Sequence, residues 1–369
     1  MPDPSGRGLA GARVVVAGAG AVGSVLAAIL ARRGAVVIWV DPAAEGDNAS
    51  GVAAGMLAPA FETVLDGGGR DLFALLKAAR ERWPALLDLL GDPDIGLWRG
   101  GALWLDLPGV DGVTRHDLKS RFDALGAEAD AVEAATARNF LPSLPADLTG
   151  ALYTPEDWSL DPPLALAALR SAAIAAGADI VRERVVAFDA GMARLSDGRA
   201  IAADALVLAT GVNSPTAAPE TVHLTPIKGH ILRQALSARR TGGPVLRGVG
   251  GYVSATASGV HVGATMEPGM SDRAVDPAIA GRLKAFGERL YPALVGADFT
   301  ARTGVRATTP DGLPLVGPSA APGVHLAVGM RRNGWLLAPL VAEMIAAYLT
   351  GDDPGPHAAR LSPRRFEAG

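Results

Sequence analysis

The chain has 369 residues, nearly half of them hydrophobic, which is enough for two domains or one large compound one around a sizeable core. It contains no cysteine, which excludes disulfides, thiolate metal sites, iron–sulfur clusters and thioether-linked cofactors, and fits a reducing cytoplasm. A net charge of −4 without any Lys/Arg run speaks against nucleic acid as a partner, and six scattered histidines with no pair at helical ligand spacing give no metal site.

The stretch RVVVAGAGAVGSVLAAILARRGAVVIWVDP, residues 13–42, predicts strand, glycine turn, helix and strand. Gly18, Gly20 and Gly23 form G-x-G-x-x-G. The first permits a tight turn, the second lets backbone approach a pyrophosphate, and the third lets the helix pack close to the sheet. The helix over 21–33 aims its free N–H groups at the phosphates. Its apolar run imitates a secretory core, but the positive pair Arg32-Arg33 follows the run and a strand comes next. Asp41 ends the second strand, placed to accept hydrogen bonds from an adenosine ribose. A dinucleotide site follows from this order of elements.

In a nicotinamide dehydrogenase another β-α unit should come at once. Instead the chain reads NASGVAAGMLAP, residues 48–59, a run of small side chains that suits backbone lying against a large flat ligand. An Ala-rich helix start is the open alternative. Residues 71–90 read as a helix and 101–107 as a strand. A helix over 162–176 precedes strands at 185–188 and 192–195, a turn at Asp197-Gly198, and a strand over 205–209 that ends in Thr210-Gly211. Small residues there return the chain to the cofactor. The closing part leads through a strand to Arg306, a turn at 310–312, a strand over 325–328 and a helix entered at Asn333-Gly334. That apolar helix is too short to span a bilayer and contains Pro339 and Glu343. The whole reads as cytoplasmic, without a targeting segment or membrane span. The tail beyond Gly351 is expected to fray. Two arginines, Arg331 and Arg332, stand before the positive end of the helix dipole, so something negative should sit there.

These residues resemble the D-amino-acid oxidase family of flavoproteins, and within it the glycine oxidase branch of thiamine biosynthesis. The resemblance rests on GAGAVG (18–23), ASGVAAGMLAP (49–59), PIKGH (226–230), VGATM (262–266) and GVRATTPDGLPLVGP…GMRRNGWLLAP (304–339). It implies an α/β fold in which a Rossmann-like FAD-binding domain of the glutathione-reductase type is interleaved with a mixed-sheet α+β substrate domain. The corresponding division is 1–60, 145–220 and 305–369 for FAD, and 61–144 and 221–304 for substrate. The cofactor implied is non-covalent FAD, contacted by Gly18, Gly20, Ala21, Val22, Gly23, Val40, Asp41, Ala49, Ser50, Ala54, Gly55, Met56, Val185 and Gly211. Met330, Arg331, Arg332, Asn333, Gly334, Trp335 and Leu336 would close over the flavin's pyrimidine side. A helix N-terminus aimed there stabilises the negative charge of reduced flavin.

By the same resemblance Arg332 clamps the substrate carboxylate, in the planar two-pronged way Lys cannot, with Arg306 a second cation nearby. Arg331, adjacent in sequence, points away. Tyr252 offers a hydroxyl to the carboxylate, and Met266 lines the pocket. The open alternatives are structural ion pairs for both arginines, a sheet-surface tyrosine and a core methionine. Met330 and Arg331 stand where many glycine oxidases have histidine and an aromatic residue, and the family's Tyr-x-V-P-R strand here reads YVSAT, 252–256. The implied reaction is hydride transfer from the α-carbon of glycine, sarcosine or a small D-amino acid to flavin N5. The imine would hydrolyse to an oxo acid, and oxygen would leave as hydrogen peroxide. Three alternatives stand beside it: a relative passing electrons to a carrier, a non-catalytic flavin-binding subunit, and an NAD-dependent dehydrogenase. A homo-oligomer is left open.

Overall fold

A computed structural model describes residues 8–109, 112–213, 218–235 and 243–366. Two sheets organise them. The first runs, in spatial order, Leu315–Pro318, Val324–Val328, Ala205–Leu208, Arg13–Ala17, Val36–Val40 and Asp179–Val181. All its neighbours are parallel except the outermost Leu315–Pro318. Parallel strands are covered on both faces, so their residues are apolar without alternation. One face carries the helices Ala21–Arg32, Pro162–Ala175 and Gly334–Thr350; the first is buried from Ala21 to Ala31. The other face is covered by a small antiparallel meander of Val185–Asp189, Met192–Leu195 and Ala200–Ala202.

The second sheet has nine strands, mostly antiparallel. Its longest pair, Thr225–Ala235 and Thr300–Thr308, stays in register from Thr225↔Thr308 to Arg233↔Thr300. One face packs on helix Pro277–Leu290; the other packs Trp104 and Leu152 against Phe61, Leu118 and Phe122 of helices Pro59–Leu65 and Arg115–Leu125.

Several boundaries differ from the sequence reading. Residues 71–90 form two helices, Arg70–Arg80 and Arg82–Leu90. Pro84 has no N–H to offer the Arg80 carbonyl and its ring crowds that turn, so the pattern breaks at Glu81. Both helices lie within the segment read as substrate domain, yet Leu75, Leu76, Trp83, Leu86 and Leu87 join the core of the parallel-sheet unit. Conversely Gly150–Thr154, placed with the cofactor segment, pairs in the nine-stranded sheet. The tail does not fray through residue 366: Ala358–Leu361 is helical, and Arg365 bonds Asp311 and the carbonyls of Leu313 and Pro314. Among the described residues no helix is long and apolar enough to cross a membrane.

Candidate active site

Two cavities meet between the sheets, sharing Ala49, Gly304 and Arg306 in their walls. The first, of roughly 320 Å³, runs past the C-terminal ends of the parallel strands. Of the residues read as cofactor contacts, Gly18, Gly20, Ala21, Val22, Val40, Asp41, Ala49, Ser50, Val185, Gly211, Met330, Arg331 and Gly334 line it. The glycine turn is fixed by contacts distant in sequence. Ala19 N–H donates to Asp41 Oδ2 at 2.6 Å, Ala21 N–H to Ser50 Oγ at 2.8 Å, and Asn48 Nδ2 to the Ala19 carbonyl at 3.1 Å. Gly18 has φ +110°, and a Cβ there would lie 2.4 Å from the Ala209 carbonyl oxygen.

Two expected cofactor contacts are absent from both walls. Gly23 lies beneath the turn: a Cβ on it would sit 1.9 Å from the Gly18 carbonyl oxygen, so its work is close helix–sheet packing. Leu336 is wholly buried in the apolar core.

A dinucleotide fits the first cavity on structural grounds. Helices Ala21–Arg32 and Gly334–Thr350 both open into it, and neither has an acidic residue in its first turn. No carboxylate of either helix's own first turn neutralises their positive ends, which suits them to a diphosphate and to an electron-rich ring edge.

The second cavity, of roughly 410 Å³, is lined by Ala54, Gly55, Met56, Glu62, Arg247, Tyr252, Met266, Arg306, Arg332, Asn333 and Trp335 among others. It brings together Arg306, Arg332, Tyr252 and Met266. It also holds two charged residues the sequence reading missed, Glu62 and Arg247. Arg332, expected as the clamp, is already engaged: its Nε meets Glu62 Oε2 and its Nη2 lies 2.9 Å from Asp66 Oδ1. Arg331 turns the other way at φ +51° and pairs with the second oxygen of Asp66. Arg247 reaches Glu62 Oε1 at 3.1 Å and Asp157 at 4.0 Å. Burial alone would raise the Glu62 carboxyl, but Arg332 and Arg247 outweigh it and hold it below its usual range.

Arg306 differs. Its Nη1 finds only the Thr265 carbonyl at 3.4 Å and Met266 Sδ at 3.6 Å. Among the described residues no carboxylate lies within ion-pair distance of it. Gly229 makes room for it, since a Cβ there would stand 2.2 Å from Nη1. Burial draws this guanidinium below its ordinary value, the sign of a cation short of compensation. The Tyr252 phenol, pushed up to about 12 by burial, stays a hydrogen-bond donor at neutral pH.

The sequence matches the family described as DAO, FAD dependent oxidoreductase, over residues 13–348. It is 30% identical to glycine oxidase of Geobacillus kaustophilus, with 90% of this chain and 91% of that protein aligned. The crystal structure of glycine oxidase from Geobacillus kaustophilus superposes with a TM-score of 0.83 at 27% identity, covering 96% of this chain and 99% of that one. It is also 33% identical to the tRNA 5-methylaminomethyl-2-thiouridine biosynthesis bifunctional protein MnmC of Caulobacter sp. (strain K31) and 30% identical to the bifunctional protein ThiO/ThiG of Nostoc sp.. These alignments take in 96% and 90% of this chain but 58% and 52% of the relatives, so the chain spans little more than half the length of those two. The glycine turn, the two helix ends and the paired cavities thus have their family: the chain is a member of the DAO family of FAD-dependent oxidoreductases.

Proposed function

We propose that the protein oxidises a small α-amino acid carrying one carboxylate, such as glycine, sarcosine or a small D-amino acid, to an imine that hydrolyses to the oxo acid. One observation carries the choice: among the described residues Arg306 is a cation without a carboxylate partner, in the wall shared by both cavities. A substrate carboxylate supplies the missing charge. The planar fork of Arg306 then fixes the orientation of the α-carbon as well as its distance. Tyr252, kept protonated, donates to the same carboxylate, and Met266 bounds the space beside it. Arg332 serves as the paired, supporting cation.

Bound FAD supplies the two-electron acceptor for the α-hydrogen and returns the electrons to oxygen as hydrogen peroxide. FAD is held without a covalent link, consistent with a chain lacking cysteine. Acid precipitation should therefore leave all yellow colour in the supernatant, and colour retained on the precipitate would refute this. Glu62, the one carboxylate in the described wall of the second cavity, is held ionised between two arginines and is not free to act as a base. Catalysis accordingly rests on orientation, with the amine bound neutral.

The deciding experiment is peroxide production from glycine, sarcosine, D-alanine, D-proline, L-alanine and a bulky D-amino acid, run beside dye reduction. Turnover should favour the small acids and exclude L-alanine. Preference for the bulky acid, or turnover of L-alanine, would reject the small oriented site. Dye reduction without peroxide would reject oxygen as acceptor.

A further inference from the structure

The charges around the second cavity pair off unevenly. Asp66 is shared by Arg331 and Arg332, and Glu62 by Arg332 and Arg247. Asp157 backs Arg247 from 4.0 Å. Among the described residues three carboxylates thus stand against four arginines, and the one left over is Arg306. Glu62 is the pivot of this arrangement. It is 4% exposed, Arg247 is 3% exposed, and each oxygen of Glu62 faces a different guanidinium.

We infer that Glu62 is the positioning residue that restricts this cavity to substrates with a single anionic group, by holding Arg332 and Arg247 in ion pairs so that only Arg306 is free to take a carboxylate. A second anion on the substrate would have to displace a buried carboxylate from two arginines or lie against it. Like charges in a desolvated site repel strongly, so such a substrate is refused. The opposite arrangement needs one change. Without the Glu62 charge, Arg332 has only Asp66, which Arg331 already holds, and Arg247 has only the more distant Asp157. The cavity then carries one more uncompensated cation and becomes a receptor for a dicarboxylate.

The inference rests on the reading of Arg306 as the carboxylate clamp, but its test does not need turnover. The holoenzyme is titrated with acetate and with malonate, and binding is read from the perturbation of the flavin absorbance. Wild-type protein should bind acetate at least tenfold more tightly than malonate. Equal or tighter malonate binding overturns the proposal whatever any variant does. In Glu62→Gln the malonate-to-acetate affinity ratio should rise at least tenfold. In turnover the KM for iminodiacetate should fall relative to that for sarcosine. Glu62→Asp, which keeps the charge, should keep the wild-type ratio. So should the double variant Glu62→Gln/Arg247→Met, which removes one charge of each sign. A general loss of both ligands in Glu62→Gln, or a dicarboxylate gain that persists in the double variant, marks a merely structural role and defeats the proposal. If the affinities behave as stated but no amino acid is oxidised, the proposed function fails and the role of Glu62 stands.

Discussion

Arg306 and Arg332 are both arginines in one wall, yet their removal should have opposite physical consequences. Arg306→Leu takes away a half-buried cation with no carboxylate partner among the described residues, so the substrate-free protein should be as stable as wild type or more so. The same change should raise KM by a loss on the order of 2–5 kcal/mol in binding, because a charge-assisted two-pronged contact disappears. Arg332→Leu strands Glu62 and half of Asp66, and should destabilise the fold toward the lower end of about 3–5 kcal/mol, since the site is partly open to water. Thermal melts and KM values for glycine on the two variants check both signs; a lower melting temperature for Arg306→Leu than for Arg332→Leu contradicts them. Two histidines outside the cavities set an acid limit. Burial pushes His261 and His325 down to about 4. Between pH 6.5 and 4 the unfolded chain takes up protons at these rings and the folded one does not. Their contribution is therefore present above pH 6.5 and lost as pH falls toward 4, on the order of 3 kcal/mol each. Urea midpoints should drop over that window, and His325→Gln should flatten the slope.

Helix Pro59–Leu65 shows how an element delivers a charge. It is only 7 residues long, too short to be stable alone. Its first-turn N–H groups at Ala60 and Phe61 are taken by Asp157, at 2.9 and 3.3 Å, and Phe61 anchors it between Trp104 and Phe122. So fixed, it presents Glu62 and Asp66, one turn apart, to Arg332 and Arg331. Asp157→Ala should cost about 1–2 kcal/mol through the lost cap and should also weaken acetate binding, because Glu62 moves with the helix. A stability loss with unchanged acetate affinity would separate the cap from the site. Little of this was legible in the sequence. The glycine turn, Asp41, the small-residue run and the Asn333-Gly334 helix entrance announce themselves within a few residues, and they lie along the walls of the two cavities. Glu62 and Asp66 carry no local mark beyond their spacing on one helical face. The partners of Glu62 sit 185 and 270 residues away, at Arg247 and Arg332. Arg332 was read as the clamp by resemblance; the carboxylates that occupy it, Glu62 and Asp66, lie in a segment to which the sequence reading assigned no element.

At the scale of the molecule, the two sheets are threaded by one chain that leaves the parallel sheet after Val40, returns after Thr154, leaves again after Leu208 and returns after Thr308. Strand Thr300–Thr308 is the firmest join. It pairs along its length with Thr225–Ala235, packs Gly304 against Ala49, and accepts a hydrogen bond from Arg331 N–H at the Ala307 carbonyl, 2.8 Å away. Each core is assembled from chain segments interrupted by those of the other, so unfolding should be one transition. Flavin release, near-ultraviolet circular dichroism and far-ultraviolet circular dichroism should share a midpoint. Well-separated midpoints would show two independent units. A polypeptide laced in this way also constrains how its gene can vary. A recombination crossover at any point between Ala102 and Thr308 exchanges part of both sheets at once, so over that span cofactor site and substrate site cannot be inherited separately. New specificities must then arise by changing residues in place, at walls such as that of Glu62, and not by borrowing a ready-made lobe from another lineage.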